Sequence, residues 1–154
     1  MTDTHVVTVE RIIPALAADI FVLLADATRH REFDGSGAVQ GARGTPAPLT
    51  LGASFGMSMR VGIPYSMVST VVEFDPNRVI AWQTRDPTPP GKFAAGRIWR
   101  YRLEPVAGGT SVSESWDISR ESWLTKPIIR GQGSARAADM AATLERIERI
   151  VTAV

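Results

Sequence analysis

The chain has 154 residues, about the length of one domain, and its 44% hydrophobic and 21% charged residues are typical of a globular protein. Its 17 basic and 16 acidic side chains nearly balance, which gives no general electrostatic reason to expect nucleic acid or an anionic membrane as a partner. The absence of cysteine excludes disulfides, thiolate catalysis and cysteine metal sites. The only two histidines, His5 and His30, are far apart in sequence and have no ligand pattern near them, and we expect no metal and no cofactor.

The first residues of the chain indicate where the protein resides. They lack the basic region and apolar run of a signal peptide. No apolar stretch approaches the ~20 residues that a membrane-spanning helix needs. We therefore expect a cytoplasmic protein with no membrane span.

The N-terminal region predicts one strand followed by two short helices. Residues His5–Ile13 alternate and are β-branched, which predicts a strand that Pro14 ends. Apolar residues at helical spacing then predict an amphipathic helix over Ala17–Ala25. A second helical turn is expected over Thr28–Phe33, with Thr28 as its N-terminal cap.

Six further strands are predicted in the middle of the chain. They are placed at Ala38–Arg43, Ala53–Val61, Tyr65–Phe74, Val79–Arg85, Arg97–Pro105 and Thr110–Ile118. Tight turns at Gly62–Pro64, Asp75–Asn77 and Ala107–Gly109 make consecutive strands antiparallel neighbours. Two longer loops rich in proline and glycine, Gly44–Gly52 and Asp86–Gly96, are expected to form rims or lids.

The C-terminal region predicts one long amphipathic helix that begins within ~4 residues of Ile129. Apolar or small residues recur there at steps of three and four, at Ile129, Gly133, Ala137, Met140, Leu144, Ile147, Val151 and Val154. Charged residues are expected on the opposite face, at Arg136, Glu145, Arg146, Glu148 and Arg149.

These elements predict a single α+β domain over residues 1–154, with an antiparallel sheet of six to seven strands curved around the C-terminal helix. Alternation predicts which side chains face that helix: Phe55, Met57 and Met59; Trp99, Tyr101 and Leu103; and Val112, Trp116 and Ile118. The strand Tyr65–Phe74 is apolar on both faces, so its orientation stays open. Strong curvature would leave space between sheet and helix.

Four segments together resemble a known superfamily. Val9–Asp26, Val72–Trp82, Gly109–Asp117 and Met140–Ile150 are similar, in order and spacing, to the START-like superfamily, also called SRPBCC. Within it they resemble the polyketide cyclase/dehydrase and lipid-transport group. The resemblance implies a helix-grip fold with a deep apolar cavity. Phe33 departs from the pattern, because these proteins usually carry tryptophan there.

The inward-facing side chains are the candidate ligand-binding residues. Aromatic rings and flexible methionines suit an apolar pocket that adapts to its ligand, although an ordinary filled core is the alternative. The candidates are Phe55, Met57, Met59, Trp82, Trp99, Tyr101, Glu114, Trp116, Met140 and Leu144.

Glu114 and Tyr101 are the candidate catalytic residues. Glu114 shares its parity with apolar neighbours, so we expect it to face the cavity near Tyr101 or Trp99 with a raised pKa. It would move protons or orient a polar group, unless it serves only a structural hydrogen bond or ion pair, or a β-bulge turns it outward. Tyr101 would offer a hydroxyl to a ligand or simply fill the core. His30, flanked by arginines, and His5 are expected at the surface.

Three classes of function fit this sequence. The first is a binding or transport protein for a hydrophobic small molecule, whether lipid, aromatic or polyketide-like. The second is an aromatase/cyclase- or dehydratase-type enzyme that uses the same cavity. The third is an interaction module whose cavity is closed. We expect a monomer or homodimer.

Overall fold

The computed structural model of the protein describes residues 5–43, 47–85 and 95–153. Seven strands form one antiparallel sheet: β1 Val6–Ile13, β2 Val39–Arg43, β3 Ser54–Val61, β4 Ile63–Asp75, β5 Val79–Arg85, β6 Ala95–Val106 and β7 Gly109–Asp117. The helices are α1 Ala17–Leu24, α2 His30–Phe33, α3 Lys126–Ile129 and α4 Gly133–Val151, with 3-10 turns at Ala27–Arg29 and Arg130–Gln132.

The sheet has the order β1-β7-β6-β5-β4-β3-β2. Every strand after β2 pairs with the strand that precedes it in the chain. The tight turns predicted this pairing for β3 with β4, β4 with β5, and β6 with β7. The long connection between β1 and β2 carries α1 and α2, and β1 pairs with β7 at one edge of the sheet while β2 forms the other edge. The predicted α+β helix-grip architecture is confirmed.

The connections between strands use the residues that tight backbone conformations require. Asn77 adopts a φ of 65° in the β4–β5 turn, a conformation that asparagine tolerates better than most residues. Gly109 at the β6–β7 turn has a φ of 151°, and a Cβ there would lie 2.1 Å from the carbonyl oxygen of Ile13. Glycine is therefore required for β7 to begin beside the end of β1.

The C-terminal helix α4 covers the concave face of the sheet. Its Met140, Leu144 and Ile147 are each no more than 1% exposed, which confirms the predicted inward face. On its outer side, Arg11 of β1 donates to Glu148 at 3.0 Å. The helix begins at Gly133, because the short α3 and a 3-10 turn occupy the chain from Lys126 to Gln132.

The short helix α2 is held against α4 by a close backbone approach. The amide of Gly35, just after α2, donates to Oγ1 of Thr143 at 2.8 Å. A Cβ on Gly35 would lie 2.2 Å from the carbonyl oxygen of Asp139. The predicted cap of this region was wrong, since Asp26 and not Thr28 caps the 3-10 turn, its carboxylate accepting from the Thr28 amide at 3.0 Å.

The two predicted loops lie partly outside the described residues, at 44–46 and 86–94. The described end of the first loop packs onto the protein. Leu49 is buried, and its amide donates to the carbonyl oxygen of Ala25 at 2.8 Å. In the described part of the chain, no helix combines the length and hydropathy needed to cross a membrane.

Candidate functional site

A cavity of about 350 Å³ lies between the concave face of the sheet and helices α2 and α4. Eight of the ten candidate ligand-binding residues line it: Phe55, Met57, Met59, Trp82, Trp99, Tyr101, Glu114 and Met140. Each comes from a strand whose alternation turned it inward, or from the buried face of α4. The walls are therefore largely aromatic rings and methionines.

Two of the ten candidates, Trp116 and Leu144, do not line the cavity. Trp116 is 2% exposed and packs in a separate cluster with Ile118, Ile129 and Met140. Leu144 is buried in the main core among apolar side chains. Both are buried on the inward face as predicted, but they pack against other core residues and do not contact the cavity.

Strand β4 supplies part of the wall that its sequence left open. Tyr65, Met67 and Ser69 line the cavity. Met67 is paired with Met57 of the neighbouring strand β3. The pairing register with β5 shifts between Val71 and Glu73. Because such a bulge exchanges the two faces of a strand, inward residues lie on one parity before it and on the other after it. Phe74, whose parity differs from that of Met67, therefore still packs against the core.

His30 lines the cavity and is 5% exposed, so its predicted surface position was wrong. The arginines beside it lie outside, where Arg29 pairs with Glu32 at 3.0 Å, whereas α2 turns His30 inward. Its ring stacks on Trp82 with centroids 4.7 Å apart. Its Nε2 lies 2.9 Å from the carbonyl oxygen of Leu24, which can only accept, so Nε2 carries the proton.

Burial keeps His30 uncharged at neutral pH. Desolvation lowers the pKa of the imidazole to about 4, against an ordinary value of 6.5. With Nε2 protonated, Nδ1 is left as a hydrogen-bond acceptor. His5 is half-buried rather than exposed, and its backbone carbonyl accepts from the Ile118 amide at 2.8 Å beside β7.

Glu114 lines the cavity beside Tyr101, which confirms the orientation that its parity predicted. The Tyr101 hydroxyl donates to Oε1 of Glu114 at 2.5 Å. Desolvation raises the pKa of Glu114 to about 8, although the bond from Tyr101 acts in the opposite direction. Burial and the neighbouring carboxyl raise the pKa of Tyr101 well above 10. Both groups are therefore uncharged at neutral pH.

The arginines of the adjacent strand do not reach Glu114. Arg100 points to the other face of the sheet, where it binds Glu73 at 2.5 Å and Asp117 at 3.4 Å. Arg102 is exposed. The carboxyl of Glu114 thus remains without a cationic partner among the described residues, which is why desolvation dominates its pKa.

Charged side chains also line the cavity. Arg136 pairs with Asp139 at 3.1 Å, and Arg97 pairs with Glu121 at 3.0 Å. Asp34 accepts from the Val39 amide at 2.9 Å. Arg136 was predicted on the outer face of the C-terminal helix, but it borders the cavity, because it lies one turn before Met140 on the same side of α4.

No three histidine, aspartate or glutamate side chains in the described ranges come together in a way that could hold a metal ion. Apart from those charged side chains, the cavity offers apolar walls with neutral polar groups at Glu114, Tyr101 and His30. Such a cavity can enclose an apolar molecule and bind one of its polar atoms.

Comparison with known proteins shows which family this chain matches. The sequence profile of the family described as "Polyketide cyclase / dehydrase and lipid transport" matches residues 4–152. The uncharacterized protein Rv0088 of Mycobacterium tuberculosis is 31% identical over 141 residues, covering 88% of this chain and 59% of that protein. The chain therefore spans about three-fifths of the length of the curated relatives it matches.

Solved structures share the fold at low sequence identity. The Aha1 dimer from Colwellia psychrerythraea has a TM-score of 0.66 and 16% identity, over 96% of each chain. DynU16, described as a putative protein in the dynemicin biosynthetic locus, has a TM-score of 0.67 and 16% identity. The match covers 99% of this chain and 48% of the DynU16 chain. With the profile match over nearly its whole length, the chain belongs to the polyketide cyclase/dehydrase and lipid-transport family of the START-like (SRPBCC) superfamily.

Proposed function

We propose that this protein binds a hydrophobic small molecule (a lipid, an aromatic or a polyketide-like compound) inside its cavity. The observation that carries the proposal is the cavity itself, at about 350 Å³. Cavities that hold small ligands in proteins are mostly apolar and measure roughly 300–1,000 Å³. The family description, which names polyketides and lipids, supports the same class of ligand.

The proposed ligand-binding residues fall into two groups. Phe55, Met57, Met59, Trp82 and Trp99 would contact the apolar body of the ligand, since they form the walls. Tyr101, Glu114 and His30 would contact its polar atoms. The thioethers of the methionines adapt their shape at low cost, which suits a cavity that accepts related molecules.

The second candidate function is an aromatase/cyclase- or dehydratase-type enzyme. The buried Tyr101–Glu114 pair favours it, because a carboxyl with a pKa of about 8 can both donate and accept a proton near neutral pH. Glu114 would then be the acid and base, and Tyr101 would hold it in position. Turnover that disappears in Glu114→Gln without loss of binding would identify the enzyme.

The proposal is tested by mass spectrometry of organic extracts of the protein purified without denaturation. We expect one hydrophobic compound or compound class that co-purifies in near-equal molar amount. A Met57→Trp variant, which fills the cavity, should carry much less of it, whereas Leu103→Met, buried outside the cavity wall, should carry as much as the wild type. A wild type that yields no compound would favour the third class, an interaction module. Equal amounts from the wild type and Met57→Trp would show that the compound binds outside the cavity.

A further inference from the structure

Glu114 has an unusual environment for a carboxyl group. It is 3% exposed, and its strand neighbour on β1 is the apolar Val9. Tyr101 occupies Oε1, whereas Oε2 is buried with no hydrogen-bond partner among the described residues. A buried polar atom without a partner is costly, so its persistence calls for an explanation.

The charged groups around Glu114 do not supply that partner. Asp34, which precedes β2, and Asp139 of α4 face it with negative charge, and both raise its pKa. The cavity-lining cations Arg136 and Arg97 are each bound to a carboxylate of their own. His30 is neutral. Glu114 is thus surrounded by groups that favour its protonated form.

Protonation determines which oxygen can donate. Because Oε1 accepts from Tyr101, the proton of the neutral carboxyl belongs on Oε2. Tyr101 therefore fixes Glu114 as a hydrogen-bond donor toward anything bound beside it. Glu114 lines the cavity, so a ligand bound there lies beside this carboxyl.

We infer that Glu114 is the polar anchor of this cavity and that the ligand carries an uncharged carbonyl oxygen, which accepts a hydrogen bond from Oε2. This inference rests on the proposed function. A pure hydrocarbon would leave the donor unsatisfied. A carboxylate beside Glu114 would place its negative charge where Asp34 and Asp139 already disfavour negative charge. An aromatic ketone combines a body that suits the walls with the acceptor that Glu114 requires.

The test uses a matched pair of probes, 2-acetylnaphthalene and 2-ethylnaphthalene, which differ in a carbonyl group. Affinities are measured for the wild type, Glu114→Leu and Glu114→Gln at about pH 6 and about pH 9.5, on either side of the Glu114 titration. The quantity compared is the affinity for the ketone divided by the affinity for the hydrocarbon. At the lower pH we expect this ratio to be about tenfold higher in the wild type than in Glu114→Leu.

The measurements at the higher pH and on Glu114→Gln distinguish a hydrogen bond donated by Glu114 from a general effect of packing. In the wild type the ratio should fall at the higher pH, because ionised Glu114 cannot donate. In Glu114→Gln, whose amide donates at every pH, the ratio should be the same at both pH values. If Glu114→Leu does not fold, the different pH dependence of the ratio in the wild type and in Glu114→Gln tests the inference alone. A wild-type ratio that matches Glu114→Leu or ignores pH overturns the inference but leaves the binding function intact. Failure of both probes to bind overturns the binding function as well.

Discussion

Two titratable side chains, Glu114 and His30, are held neutral by burial on the cavity wall, and they oppose each other in pH dependence. The folded-state pKa of Glu114 is about 8, above its ordinary 4.5, so its contribution to stability is full below about pH 4.5 and is lost as pH rises through 8. The folded-state pKa of His30 is about 4, below 6.5, so its contribution is lost as pH falls from 6.5 toward 4.

Replacing Glu114 by glutamine should remove the first of these pH dependences. The side-chain amide of the Glu114→Gln variant would still accept the bond from Tyr101 through its oxygen, but it cannot ionise. We expect the free energy of unfolding of Glu114→Gln, relative to the wild type, to increase by about 3 kcal/mol between roughly pH 5 and pH 8. Urea denaturation at several pH values measures it. Parallel pH profiles for the two proteins would mean that Glu114 has an ordinary pKa.

At the scale of elements, most of the architecture could be predicted from local pattern. Strand β5 has the predicted bounds, Val79–Arg85, and the others differ by one or two residues at their ends. The sequence-based predictions failed where contacts between distant segments determine the local structure. The bulge in β4 is set by pairing with β5, and the orientation of His30 is set by packing against Phe55 and Trp82. Neither contact is visible in the residues next to these positions.

Contact between α2 and α4 should depend on the small size of Gly35. In Gly35→Ala the new methyl group would meet the backbone of α4 at the Asp139 carbonyl, which cannot move without displacing the helix. We expect a loss of about 3 kcal/mol in the free energy of unfolding. Gly41→Ala in β2 is the matched control, because a Cβ there meets nothing within 4 Å. Equal stability of the two variants would show that α2 and α4 can separate at little cost.

At the scale of the whole molecule, the sequence located the cavity better than it located the cavity's polar groups. The wall follows from strand alternation, a local signal, and eight of ten predicted residues lie in it. The packing of α4 and of the end of α2 against the sheet brings three further charged residues to the cavity wall, namely Arg136, Asp139 and Asp34. That packing joins residues about a hundred positions apart, as in the Gly35–Thr143 bond, and no short-range pattern encodes it.

The central claim, that the cavity holds a hydrophobic ligand, is tested most directly by calorimetric titration of the protein with 2-ethylnaphthalene. We predict binding of one molecule per chain with a negative heat-capacity change, since apolar surface is buried. Met57→Trp, which places a larger side chain in the cavity wall, should lower the affinity at least about tenfold while the protein stays folded. Leu103→Met, in the core outside that wall, should bind as the wild type does. No binding by the wild type, or equal binding by all three proteins, would contradict the account.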